Sequence, residues 1–257
     1  CHPFIVEEIE AAGMDDKKAA VEKFDGIFYR HIAHTTRNAL RSLLLALSGG
    51  LLETVPRQGK IQSSYRQLAR FSAAFALMTD VTLLTVGGGL KARQRLSGRM
   101  ADCLVHLYYA TAVIKQWHEE GYPEDQRPLV DWCLQTSLRD LKTSMRELII
   151  NFPVPLLRWP LRVLVFPLGA TGLNGPDDAL GTEVAASIVN DTPLRQRISR
   201  GSYINTDPDD PLGRVLNAYR LANETKDMRD RLHEALRNRD EDELGGIDLL
   251  MGHQRKE

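Results

Sequence analysis

Four long stretches in which apolar residues recur every three to four positions leave this chain few options besides lengthwise-packed helices. In the first, from about Asp15 to Leu47, the recurring residues are Val21, Phe24, Phe28, Ile32, Leu40, Leu43, Leu44 and Leu47. Asp15 and Asp16 suit its start electrostatically, and Gly49-Gly50 ends it. A second stretch, Gln62 to Val86, carries Leu68, Phe71, Phe75, Met78 and Leu83 and breaks at Gly87-Gly88-Gly89. A third runs from about Lys91 to Glu120 through Leu96, Met100, Leu104, Leu107, Thr111, Ile114 and Trp117, and Gly121-Tyr122-Pro123 closes it. The fourth starts near Pro128 and carries Leu129, Trp132, Leu138, Leu141, Met145 and Leu148. Period-two alternation is almost absent, so strands are not expected. The predicted fold is all-α: an antiparallel bundle of four long helices followed by shorter C-terminal helices.

The character changes after residue 152. Pro153, Pro155, Pro160 and Pro167 interrupt an apolar stretch around Trp159, and Gly169 to Pro176 reads as a loop. Shorter helices are expected near Asp178–Val189, Pro211–Glu224 and Lys226–Arg237. The organisation read from this is a long-helix bundle over residues 1–152 and a Pro-interrupted segment with shorter helices over 153–237. A charged, flexible tail follows over 238–257.

Charge excludes some partners. With 33 basic and 34 acidic side chains the net charge is -1, so no whole-chain attraction for nucleic acid exists and no nucleic-acid partner is expected. Cys1, Cys103 and Cys133 form no Cys-x-x-Cys pair, which points to a reducing, cytoplasmic setting. The first residues lack an initiating Met and already follow a helical pattern, so a piece of a longer protein is expected.

Several residue groups invite a chemical reading. His31 and His34 lie three apart and could share a helix face as metal ligands, but no Glu completes a His-Glu-x-x-His pattern. Ordinary packing histidines are the preferred reading, and no metal is expected. Gly87-Gly88-Gly89 before Lys91 lacks the strand and the Ser or Thr of a phosphate loop, and reads as a tight interhelical turn. Lys91, Arg95 and Arg99, spaced by four, would stack on one helix face as candidate phosphate contacts. Arg195, Arg197 and Arg200 form a second basic cluster. The apolar stretch is too short to span a bilayer, where about 20 residues are needed. With Arg158 and Arg162 beside it, Trp159, Leu161, Val163 and Phe166 are candidate contacts with a membrane surface or a protein partner. Pro160 and Pro167 argue against a single helix there. No Gly-x-Ser-x-Gly elbow occurs, and Cys1 as an N-terminal nucleophile lacks a β-sandwich sequence around it.

The order of the segments carries more information than any one of them. Cys1-His2-Pro3-Phe4, Phe24-Asp25-Gly26-Ile27-Phe28, Arg70-Phe71-Ser72-Ala73 and Gly87-Gly88-Gly89-Leu90-Lys91-Ala92-Arg93 occur in that order. Ser97-Gly98-Arg99, Asn151-Phe152-Pro153, Val165-Phe166-Pro167 and Arg197-Ile198-Ser199-Arg200-Gly201-Ser202-Tyr203 follow. Together they resemble the C-terminal helical region of a bacterial FadE-type acyl-CoA dehydrogenase, with the likeness fading after about residue 235.

The resemblance implies a parent flavoenzyme of fatty acid β-oxidation. It uses a carboxylate base and FAD to convert fatty acyl-CoA to trans-2-enoyl-CoA. The base and the flavin domain belong to the region preceding Cys1, so no catalytic or cofactor-binding residue is assigned to this chain and no FAD is expected on it alone. Its implied partners are the upstream dehydrogenase core and a second copy in a homodimer, with peripheral contact at the inner membrane as a further role. An autonomous acyl-CoA-binding or protein-interaction module is the alternative.

Overall fold

Helix caps and glycine breaks set the boundaries of the elements. The computed structural model describes residues 4–56, 61–190, 192–203, 205, 207 and 209–237, and every regular element among them is helical. The first two helices are α1 (Ile5–Ala12) and α2 (Lys17–Leu47). The Asp16 carboxylate accepts from the N–H groups of Lys18 and Ala19 at 3.0 and 3.3 Å, satisfying donors that a helix start leaves orphaned. α3 (Gln62–Val86), α4 (Gln94–Glu119) and α5 (Arg127–Ile150) follow. A 3₁₀ turn over Gly87–Ala92 joins α3 to α4, in keeping with the tight turn expected of the glycine triplet. Further on lie α6 (Pro155–Val165), α7 (Asp178–Val189), α8 (Pro193–Ile198), α9 (Pro211–Glu224) and α10 (Lys226–Arg237).

The prolines of the Trp159 segment did not prevent a helix. Pro155 stands in the first turn of α6, where a missing N–H costs nothing, and Pro160 lies inside it. The carbonyl that Pro160 leaves without a helical donor is that of Leu156, a residue 85% exposed.

The chain divides into two compact units, Cys1–Val184 and Ala185–Glu257. The first is built around Phe71, Leu77 and Met78 of α3, Cys103 and Leu107 of α4, and Leu141, Met145 and Leu148 of α5. Phe152, Leu161, Val165 and Phe166 complete that core. Each large side chain so buried stabilises the fold by roughly 1.5–3 kcal/mol. The stretch Gln62–Ala92 is long and apolar enough to cross a membrane by length and composition, yet its Phe71, Leu77 and Met78 lie in this core and its Asp80 is buried. A second cluster gathers Ile61, Ile114, Trp117, Val130 and Leu134, with the Trp117 indole donating to the Pro123 carbonyl at 3.1 Å.

α6 is fastened at its C-terminal end by side chains from two other helices. The Ser42 hydroxyl of α2 donates to the Leu164 carbonyl at 3.2 Å, and the Arg70 guanidinium of α3 donates to the Val165 carbonyl at 3.3 Å. A cation at the last carbonyls of a helix also opposes its dipole. Arg70 lies 5.1 and 5.9 Å from the ring centroids of Phe71 and Phe166, and burial pulls its pKa down from the ordinary value.

In the second unit Thr192 caps α8 and Asp210 caps α9. Arg195 stacks over Tyr219 at 3.9 Å and donates to the Val189 carbonyl, so this member of the second basic cluster is held within its own unit. The expected tail over 238–257 and residues 57–60, between α2 and α3, lie outside the described residues.

Gly50 is required where the end of α2 meets α3. It adopts φ +84°, and a Cβ there would stand 2.5 Å from the Arg66 carbonyl oxygen. Gly49 has φ +60° with nothing within 4 Å of that position. Gly49→Ala is therefore expected to cost only the left-handed backbone penalty of about 1–2 kcal/mol. Gly50→Ala should cost clearly more, as read by urea denaturation of the two variants side by side.

Candidate functional site

The face that α2 turns inward mixes apolar Ile27, Leu45 and Ala46 with buried polar groups. His31, Asn38 and Ser42, spaced by seven and four, fall on one helical side. His31 Nδ1 lies 2.8 Å from a Glu8 carboxylate oxygen, and Asn38 donates to Asp80 at 2.6 Å. His31 and Asp80 are both buried, and Phe4 stacks on the His31 ring at 5.4 Å. His34 contacts Asn38 at 3.0 Å and stands 3.9 Å from Asp80. These contacts tie α1, α2 and α3 together, and buried polar groups are stable only when paired in this way. The two histidines thus serve packing. No group of three or more metal-ligating side chains gathers among the described residues.

The apolar stripe read from the sequence is correspondingly turned away from the core. Leu40 is 56%, Leu44 43% and Leu47 50% exposed, and Phe28, Ile32, Leu51 and Leu52 are exposed with them. Periodicity alone suggested the opposite face, because it registers apolar residues and not the pairing of His31, Asn38 and Ser42.

Arg93, which follows the Gly87–Ala92 turn, and Arg95 and Arg99 of α4 line an open cleft of about 520 Å³. Arg93, Arg95 and Arg99 face it together with Gln94, Leu96, Asn151 and Pro153. The expected triad of Lys91, Arg95 and Arg99 needs one correction. Helix α4 begins only at Gln94, so Lys91 sits on the 3₁₀ turn and does not line the cleft. Arg93, missed because its spacing was judged on a continuous helix, takes its place. Arg99 lies 3.8 Å from Glu147, and among the described residues neither Arg93 nor Arg95 has an acidic partner.

The Trp159 segment is split by burial. Trp159 is 73% exposed, and Leu156 and Val163 are exposed on the same side of α6. Leu161 and Phe166, expected to share a contact surface with them, are 2% and 5% exposed and belong to the core. The fastening of Leu164 and Val165 by Ser42 and Arg70 fixes this rotation of α6. Arg158 and Arg162 remain exposed beside the outward side, with Arg158 donating to the Phe152 carbonyl at 2.8 Å.

Neither of two sizeable clefts, the α3–α4 groove and the arginine cleft, combines unpaired cations with a broad apolar lining, as a flavin dinucleotide needs. The apolar groove of about 610 Å³ between α3 and α4 is lined by Tyr65, Leu68, Phe75, Leu104 and Tyr108, among others. Its Arg41 is already paired with Glu53 at 2.9 Å, leaving no unpaired cation in that lining for a diphosphate. The arginine cleft has the cations but no flat apolar slot for the ring system. No catalytic step is therefore derived through a flavin on this chain.

Neither described cysteine is a poised nucleophile. Burial, assisted by the Asp102 charge, pushes the Cys103 thiol up to about 12, and burial raises Cys133 as well. Cys1 lies outside the described residues. Because a raised pKa leaves the thiol protonated until the pH approaches that value, Cys103 should resist iodoacetamide between pH 7 and 9. Site-resolved mass spectrometry is expected to show it alkylated only after unfolding.

A family model described as acyl-CoA dehydrogenase, C-terminal, bacterial type, matches residues 1–248. No solved structure matches the chain. The match agrees with the resemblance read from the ordered motifs, and the chain belongs to the bacterial-type C-terminal domain family of acyl-CoA dehydrogenases.

Proposed function

We propose that this chain is the non-catalytic helical domain of an FAD-dependent acyl-CoA dehydrogenase that forms trans-2-enoyl-CoA in β-oxidation. Its work is assembly: the outward flank of α2 docks on the dehydrogenase core of the same protein or on the second protomer of a homodimer. The family match supports the parent activity. The observation that carries the assembly role is the row of exposed Leu40, Leu44 and Leu47 on a helix whose opposite face is pinned by polar contacts. Soluble surfaces seldom leave so continuous an apolar row uncovered. The short connections from α3 to α4 and from α4 to α5 support antiparallel packing of these helices.

A second role, at a membrane, is favoured by the outward side of α6. Leu156 and Trp159 project there beside Arg158 and Arg162, a pairing suited to the headgroup zone of an anionic bilayer. In this reading the parent is cytoplasmic and sits peripherally on the inner membrane.

Leu40→Ser, Leu44→Ser and Leu47→Ser combined separate internal packing from docking. In this chain alone each exposed substitution is expected to change stability by no more than about 0.5 kcal/mol. In the intact enzyme the same three changes should lower the melting temperature and the dimer fraction by sedimentation. An intact enzyme indifferent to them contradicts the assembly role. For the membrane role, Leu156→Ala with Trp159→Ala should abolish co-sedimentation with anionic vesicles, and equal, negligible binding by both proteins rules it out.

A further inference from the structure

We infer that the cleft at the start of α4 is a binding site for a small phosphate-bearing ligand. Three arginines, Arg93, Arg95 and Arg99, line a cleft of about 520 Å³. The described residues supply one counter-charge to them, Glu147, at a long 3.8 Å from Arg99. Its side chain is more than half exposed, and it is not among the cleft-lining residues. A cation cluster without carboxylates in its lining raises the local concentration of anions. Planar guanidinium forks match phosphate oxygens in pairs, as lysines do not. The start of the 26-residue α4, which no side chain caps, adds its positive dipole end to the same space.

The geometry also says which part of a ligand fits. The lining holds only Leu96, Ala92 and Pro153 as apolar surface, so the cleft grips the phosphate end and leaves an acyl or aromatic portion outside. Phosphate and diphosphate groups share this chemistry whether they come free or on a nucleotide-like carrier such as coenzyme A. The site does not depend on what covers α2.

Titration calorimetry of the full 257-residue chain with pyrophosphate, inorganic phosphate and coenzyme A separates these sources. Saturable pyrophosphate binding is expected, weakened at least about tenfold in Arg93→Gln combined with Arg95→Gln and weakened by added salt. Tighter binding of coenzyme A than of pyrophosphate marks a carrier-borne ligand, and the reverse order marks a free one. Lys91→Gln, one turn away but outside the lining, should change the affinity no more than about twofold. Both arginines are exposed, so unchanged thermal melting of the double variant is the control for folding. No saturable heat with any of the three ligands, or an affinity that the double variant leaves intact, overturns the proposal.

Discussion

The rotation of α2 about its own axis governs what the rest of the molecule can present. Three polar anchors set it: His31 against Glu8, Asn38 against Asp80, and Ser42 against the Leu164 carbonyl. Turning the helix so that Leu40, Leu44 and Leu47 faced the core would take Asn38 away from the buried Asp80 and His31 away from Glu8. Leaving a buried polar group without its partner costs about 1–3 kcal/mol, and more for a charged one. That penalty competes with the hydrophobic gain of turning the leucines inward. The polar anchors hold the helix in place, and the apolar row stays exposed on this chain.

The same anchoring extends to α6. Ser42 from α2 and Arg70 from α3 receive its last carbonyls, and this decides that Leu161, Val165 and Phe166 enter the core. Leu156 and Trp159 then project outward as a consequence. The two surfaces proposed to work in the parent enzyme therefore trace to a handful of side chain to backbone and buried polar contacts. Members of these anchoring pairs also fall within the ordered motifs, among them Arg70 beside Phe71 and Phe166 beside Val165.

Much of the fold was legible because long amphipathic runs, Asp caps and glycine breaks act locally. The bounds of α3 read from periodicity coincide with the helix that forms, and Asp16 caps the N-terminus of α2, where acidic residues suggested it would start. What could not be read were tertiary choices. Pro160 argued against a single helix, yet α6 forms with Pro155 in its first turn and Pro160 inside it, and its Leu161 and Val165 are buried in the core. Lys91 kept the four-residue spacing of Arg95 and Arg99, but the glycine triplet winds as a 3₁₀ turn and moves Lys91 out of register. The polar stripe of His31, Asn38 and Ser42 was present in the spacing, but only its partners Glu8, Asp80 and Leu164, distant in sequence, reveal which way it points.

The central claim is that the outward flank of α2 is covered in the parent acyl-CoA dehydrogenase. Site-resolved thiol labelling of Leu44→Cys, in this chain alone and in the intact enzyme, tests it most directly. Rapid labelling in the isolated chain with strong protection in the intact enzyme is the expected result. Equal labelling rates in both would show that nothing covers α2, and the assembly role would fall.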